Sequence, residues 1–425
     1  MENKKSTRTA IETVSSVAGS TQQAVQKYGD ASTGQSRAEM SDRQTESAAL
    51  PTSRSVDAVR VAIVHDWMLL GGAEMVVAEL LHMYPNAPLY TSCINADWQQ
   101  KLQGRTVITG YLNKPFFFNA RKFVPFLRQR WFAGLDFSGY DIVISSSGAE
   151  AKGISVPPGT VHINYCHAPT HYYWSRYEEY LQNPGFGPFN FMARAGLKLL
   201  ISPMRKWDYA AAQKPHVMVA NSTHIAAEIK KYYKRNAVVI HPPVAVADFT
   251  TNKPVRRSGF LVVGRQVPYK CIDLAVKTAN ILSLPLTVIG DGPQHAQLQQ
   301  LAGPTVTLVK KANRQQIIAA MQSAQGFIFP GLDDFGITPV EALAAGCPVI
   351  AYKAGGALDY VLPGKTGMFF EEQTVESLAA ALEAFQKIQF NKKTIVASSQ
   401  QFAPEHFRLA MSELVDAQYS TFKKQ

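Results

Sequence analysis

Nine short apolar runs, separated by turn formers and stretches of helical periodicity, constrain this chain more than any other feature. They are RVAIVHD (60–66), DIVISSS (141–147), VHINYCH (161–167), VMVANS (217–222), FLVVGR (260–265), LTVIGDG (286–292), VTLVK (306–310), GFIFP (326–330) and PVIAY (348–352). Runs this apolar suit strands covered on both faces, as in a parallel sheet flanked by helices. The alternation halts at the Pro-rich HPPVAVADFTTNKPVRRSG (241–259) and then begins again. An α/β fold of two doubly wound, Rossmann-like domains follows, with an active site in the cleft between them at the carboxyl ends of the strands. A length of 425 residues agrees, since it exceeds what one hydrophobic core usually organises.

The expected boundaries are a leader over 1–59, a first domain over 60–240, a linker over 241–258, a second domain over 259–395 and a terminal helix within 396–425. The leader is rich in Ser, Thr, Gln and Ala without sustained apolar periodicity, which is the composition of disorder. Its seven basic and seven acidic residues cancel, so the net charge of +11 belongs to the folded part. It has no apolar core segment of the secretory kind. Cys93, Cys166, Cys271 and Cys347 form no C-x-x-C pair, as suits reduced thiols in a cytoplasmic protein. No run approaches the roughly 20 apolar residues of a membrane-spanning helix, so any membrane contact is expected to be peripheral.

From Trp98 to Leu135 there is no Asp or Glu, while Lys101, Arg105, Lys114, Arg121, Lys122, Arg128 and Arg130 are interleaved with aromatic residues. Cations beside aromatics suit an anionic bilayer, with Arg121, Lys122, Arg128 and Arg130 as the binding residues. A nucleic-acid groove has a similar composition, and so does a solvated helix face with its aromatics turned inward.

The segment PGLDDFGITPVEALAAGCPVIAY (330–352) carries acids between apolar runs. Thr338 reads as an N-cap, Pro339 as the first helical residue and Glu341 as the third, the spacing of a capping box. Gly346 and Pro348 then end the helix. Backbone N–H groups of Phe335, Gly336, Ile337 and Thr338 would face the end of a strand, where a phosphate binds well. From spacing alone, Glu341 could cap its helix or bind a ligand.

DDFGITPVEALAAGCPVIA resembles the acidic-x7-acidic motif of the retaining nucleotide-sugar glycosyltransferases of GT-B fold, glycosyltransferase family 4. VGRQVPYKCIDLAV is similar to that family's Arg/Lys diphosphate motif, and GGAE, DIVISSS, YCHAP and VANST match in order. The resemblance covers about residues 60–415, and GRQVPYK with YCH resembles the GDP-mannose-dependent α-mannosyltransferases of lipid-linked surface polysaccharides.

The resemblance implies that Arg265 and Lys270 grip the donor diphosphate as its charge grows in the transition state. It implies that Glu341 accepts hydrogen bonds from the ribose hydroxyls, and that Gly71 and Gly72 let the backbone approach the phosphates. His167 would sit near the reacting sugar, and Asp333 takes the place of the first motif acid, usually the longer Glu. Ala168 and His171 depart from the relatives' His-Thr-Pro-x-Arg. The first domain would face the acceptor and membrane, the second would hold the donor, and the terminal helix would return to the first. No metal and no cofactor are expected.

The resulting expectation is a retaining hexosyltransferase moving mannose from GDP-mannose to a glycan or lipid-linked acceptor, with no nucleic-acid partner. It would be cytoplasmic and peripheral on the inner face of the plasma membrane. A UDP-sugar enzyme and a catalytically silent nucleotide-sugar or membrane-binding scaffold are the alternatives. A dinucleotide-dependent dehydrogenase is disfavoured, because GGAE lacks the spaced glycines of that fingerprint.

Overall fold

A computed structural model describes residues 59–424 apart from 70, 121–124, 183, 185–186 and 252–254. The leader before Val59 lies outside the described residues.

The first sheet has β1 (Val61–His65), β2 (Leu89–Thr91), β3 (Val107–Ile108), β4 (Ile142–Ser147), β5 (Val161–Cys166), β6 (Val217–Ala220) and β7 (Val238–Val239), all parallel, in the order β3-β2-β1-β4-β5-β6-β7. The second has β8 (Phe260–Val263), β9 (Leu286–Ile289), β10 (Val306–Val309), β11 (Gly326–Phe329), β12 (Val349–Tyr352) and β13 (Gly367–Phe370), also parallel, in the order β10-β9-β8-β11-β12-β13. All nine expected runs are strands. The four that were not anticipated lie away from the sheet centres, and three of them have two or three residues, too few to show a pattern.

Central strands are buried along their whole length, which only helices on both faces allow. β4 ends in Ser145, Ser146 and Ser147, all fully buried, and each hydroxyl finds a partner: His162 at 2.8 Å, His167 at 2.7 Å and the Asp66 carboxylate at 3.2 Å. A polar strand end is stable here because none of the three hydroxyls is left unpaired.

The final helix, Pro404–Lys423, packs on the first sheet rather than the second. Phe407, Met411, Leu414 and Val415 join the core of β1, β5 and the helix Ala73–Met83. Burial of side chains this size contributes about 1.5–3 kcal/mol each. The Phe407 ring lies 5.8 Å from that of Tyr165, and Arg408 bonds Glu79 at 2.7 Å. The chain thus crosses between the sheets twice.

Candidate active site

Four loops at the carboxyl ends of β8, β9, β11 and β12 make one side of the site. They nest backbone against backbone. A Cβ on Gly331 would lie 2.6 Å from the Tyr269 carbonyl oxygen, and one on Gly355 would lie 2.3 Å from that of Asp333. This contact fixes Lys270, in the turn Pro268–Lys270, against the Asp333 loop, and the Lys270 ammonium pairs with the Asp333 carboxylate. Arg265 is exposed and donates to the Tyr269 hydroxyl at 2.9 Å, with no carboxylate against it among the described residues.

The helix after β11 runs Ile337–Ala344, and its N-cap is Gly336 at φ +87°. This corrects the capping box: Thr338 and Pro339 fall inside the first turn and Glu341 in the second. Gly336 can adopt the left-handed turn that Thr338 would resist. A side chain there would also meet the Tyr360 hydroxyl at 2.8 Å and the Phe329 ring at 3.0 Å. No side chain caps this helix, so the N–H groups of Ile337 and Thr338 remain available. Phe335 is buried beside Phe402 and Tyr360 and acts as a wedge.

Glu341 is half-buried, and no described residue donates a hydrogen bond to its carboxylate. Burial pushes its carboxyl up to about 7, with Asp248 adding to the shift and Arg314 opposing it. A carboxylate kept short of donors is suited to accept them from a ligand.

The other side belongs to the first sheet. Gly72 is the N-cap of Ala73–Met83, and a Cβ on it would lie 2.7 Å from Ile337 Cδ1. Gly72 and the start of the facing helix therefore touch across the cleft. His167 follows β5, with Nε2 2.7 Å from Ser146 Oγ. Burial, with His65 adding, pulls its pKa down to about 3, so the ring is neutral at any working pH.

Further bonds cross the cleft. His171 Nε2 lies 2.9 Å from the Asp334 carboxylate while Nδ1 lies 2.9 Å from Ser175 Oγ. Ser222 donates to the Asp334 carbonyl at 2.5 Å, and Arg176 donates to that of Leu332 at 3.0 Å while its guanidinium covers the Tyr269 ring at 4.1 Å. Burial opposes charge on both His171 and Asp334, but their mutual attraction wins, raising the His171 pKa and lowering that of Asp334.

Beneath this contact Asp208 accepts from Lys152 at 2.6 Å, Thr170 Oγ1 at 2.8 Å, Trp174 Nε1 at 2.7 Å and the Tyr233 hydroxyl at 2.6 Å. It anchors the segment that carries His171. Sequence reasoning missed Lys152, Arg176, Asp208 and the Asp334 contact. The His171 departure was the one signal, and it marks one of the residues that reach across.

Arg121 and Lys122 lie outside the described residues. Arg128 cannot meet a membrane: it is buried and makes two 2.8 Å bonds to the Glu150 carboxylate, under Trp67. The acid that holds it lies beyond the acid-free stretch. Arg130 is exposed.

The frame is that of the GT-B glycosyltransferases. Sucrose-phosphate synthase from Thermosynechococcus elongatus superposes with a TM-score of 0.62 at 17% identity, over 85% of this chain and 100% of that one. HepE of Anabaena in complex with UDP gives 0.60 at 16%, over 84% and 100%. Residues 244–401 match the family described as Glycosyl transferases group 1. A GDP-mannose-dependent alpha-mannosyltransferase of Mycolicibacterium smegmatis is 35% identical over 123 residues, 29% of this chain and 32% of that protein. One of that name from Mycobacterium tuberculosis is 33% identical over 28% and 32%. The chain thus spans about a third of the length of these curated relatives.

Proposed function

We propose that the chain is a retaining hexosyltransferase moving mannose from GDP-mannose to a lipid-linked glycan of surface polysaccharide synthesis, on the cytoplasmic side of the membrane. One observation carries the reading: Lys270 and the uncapped start of Ile337–Ala344 share the loop that begins at Gly331, and Arg265 bonds Tyr269, the residue before Lys270. Two cations and a row of N–H groups at one place form a seat for a diphosphate. The name shared by the relatives from the two mycobacteria supports mannose and guanine within this class.

In this reading Arg265 and Lys270 stabilise the charge gathering on the departing diphosphate. Lys270 is presented by Asp333, whose short side chain holds the ammonium in place. Glu341 accepts from the ribose hydroxyls, and Gly71 and Gly72 leave room beside the phosphates. His167, neutral, offers its Nδ1 side to the sugar. The acceptor oxygen attacks on the face the diphosphate leaves, and a leaving phosphate oxygen takes its proton.

The test is hydrolysis and transfer by the purified chain with GDP-mannose and with UDP-glucose. GDP-mannose is expected to turn over, and Arg265→Ala or Lys270→Ala to lower kcat/KM by about a hundredfold or more. Normal turnover in both variants would sink the placement of the diphosphate. Turnover of UDP-glucose alone would keep the site and overturn the mannose assignment.

A further inference from the structure

The helix Asn190–Gln213 consists of two unlike halves. All of its buried residues, Met204, Asp208, Ala211 and Ala212, lie in the second half. The first half shows solvent its largest apolar side chains, with Phe191 67%, Met192 59% and Leu199 78% exposed. Phe191, Ala195, Leu199 and Pro203 recur every fourth residue, one stripe on a helix, with Met192 at its border. The side turned to the protein carries Ala193, Leu197, Ile201 and Met204. The apolar stripe thus points away from the fold, and Phe189, also exposed, extends it. Single exposed apolar residues are ordinary, but a continuous stripe marks a contact surface.

Within the helix the charge near the stripe has one sign, although Glu178 and Glu179 are exposed on the neighbouring helix Tyr177–Gln182. Residues 190–207 hold Arg194, Lys198, Arg205 and Lys206 and no acid. Arg194 donates to the Leu181 and Gln182 carbonyls, and Arg205 to that of Tyr173, so both are held by the fold. Lys198 and Lys206 are exposed. The acid-free segments Pro115–Ala120 and Pro125–Ala133 add the exposed Phe116, Phe126, Lys114 and Arg130, and the second of them packs, like Asn190–Gln213, on the turn Ala151–Gly153. Among the described residues no helix is long and apolar enough to cross a membrane.

We infer that the first half of Asn190–Gln213 lies flat on an anionic bilayer, with Phe191, Met192 and Leu199 in the headgroup boundary and Lys198 and Lys206 over lipid phosphates. An apolar face on a helix segment whose own charges are all cations is the build of an interfacial helix. The second half of the same helix carries Asp208, which anchors Thr170 and Trp174 on either side of His171 at the cleft. A lipid surface is thereby placed one helix away from the site. Docking does not depend on the glycosyl-transfer reading, which enters only in making the acceptor lipid-borne.

Flotation of the full chain with phosphatidylcholine vesicles, with and without phosphatidylglycerol, tests this. Wild type is expected to float with the anionic vesicles, to stay behind with neutral ones and to detach as salt rises. Phe191→Ser/Met192→Ser/Leu199→Ser should lower the bound fraction about tenfold, and Lys198→Gln/Lys206→Gln about threefold, with melting temperature and donor hydrolysis unchanged. Equal flotation of the triple variant and wild type would overturn the proposal. So would a wild-type dimer in lipid-free buffer that the triple variant abolishes, which would assign the stripe to a second copy. If the chain hydrolyses no donor, the flotation result still decides this question while the transfer reading falls.

Discussion

Lys270 and Asp333 pair with 20% and 15% of their side chains in water, whereas Lys152 and Asp208 pair with none of either exposed. The first pair stands where a ligand can compete for it. The second lies under the His171 segment, and its carboxylate already has four donors. One side of the cleft therefore keeps its charges available, and the other spends them on shape. The side built on the second sheet achieves rigidity through glycines that let backbones nest, so its charged side chains stay near solvent. The facing side achieves it through ions sealed in the interior, which hold loops and touch nothing that reacts.

The largest effect that separates these plans is on stability. Asp208→Asn should cost about 3–5 kcal/mol in urea unfolding, because it leaves the Lys152 ammonium buried and unpaired. Asp333→Asn should cost about 1 kcal/mol or less, since Lys270 can turn to water. Lys152→Met with Asp208→Leu should recover little of the first loss, because Thr170, Trp174 and Tyr233 would each lose the acceptor they share. Equal losses in Asp208→Asn and Asp333→Asn would erase the contrast.

The same contrast governs what could be read from the sequence. Asp333, Phe335, Gly336 and Glu341 lie within one loop and helix, so a contiguous motif brings them together. Its detail failed at Thr338, because a Pro and a Glu at capping distance look alike whether or not a glycine two residues earlier takes the cap. On the other side the partners are remote: Thr170 meets Asp208 38 positions away, and Arg128 meets Glu150 22 positions away. No local pattern announces such a pair, and Arg128 therefore looked like a surface cation. The helix Asn190–Gln213 went unread because Gly196 and Pro203 interrupt it and its apolar residues lie on both faces.

The next effect is smaller and depends on pH. The folded state holds the Glu341 proton more tightly than the unfolded chain, so the stability it lends is full below about 4.5 and is lost as pH rises to about 7. At pH 8 Glu341→Gln should therefore stabilise the protein, by on the order of 2–3 kcal/mol, and the gain should vanish near pH 4. A donor whose hydroxyls need the ionised carboxylate should bind wild type more weakly as pH falls below about 7, and the Gln variant weakly throughout. Calorimetric titration with GDP at pH 5.5 and 8 checks this. Equal affinity at both pH values would remove Glu341 from the site and leave it a buried acid of the helix.

The smallest effect concerns the bond that joins the two plans, His171 to Asp334. With its folded pKa raised, His171 lends its full stabilisation below about 6.5 and loses it as pH climbs through the higher folded value. Asp334, lowered, supports the pair above about 3.8 and fails only as pH falls through its own folded value. The charged bond thus holds from mildly acidic to near-neutral pH and fades in alkali. A charge-assisted hydrogen bond is worth on the order of 1.5 kcal/mol, about tenfold in the ratio of joined to separated domains. Ser222 and Arg176 bridge the same gap through backbone carbonyls, so the contact should loosen rather than break. Small-angle scattering should show the radius of gyration growing between pH 6 and pH 9 in wild type, and staying level in His171→Gln, which keeps a donor near Asp334 but no charge to lose. An identical profile in both would mean that the domains are held by their other contacts, those of Arg176 and Ser222 among them, and that the charge of His171 has no part in joining them.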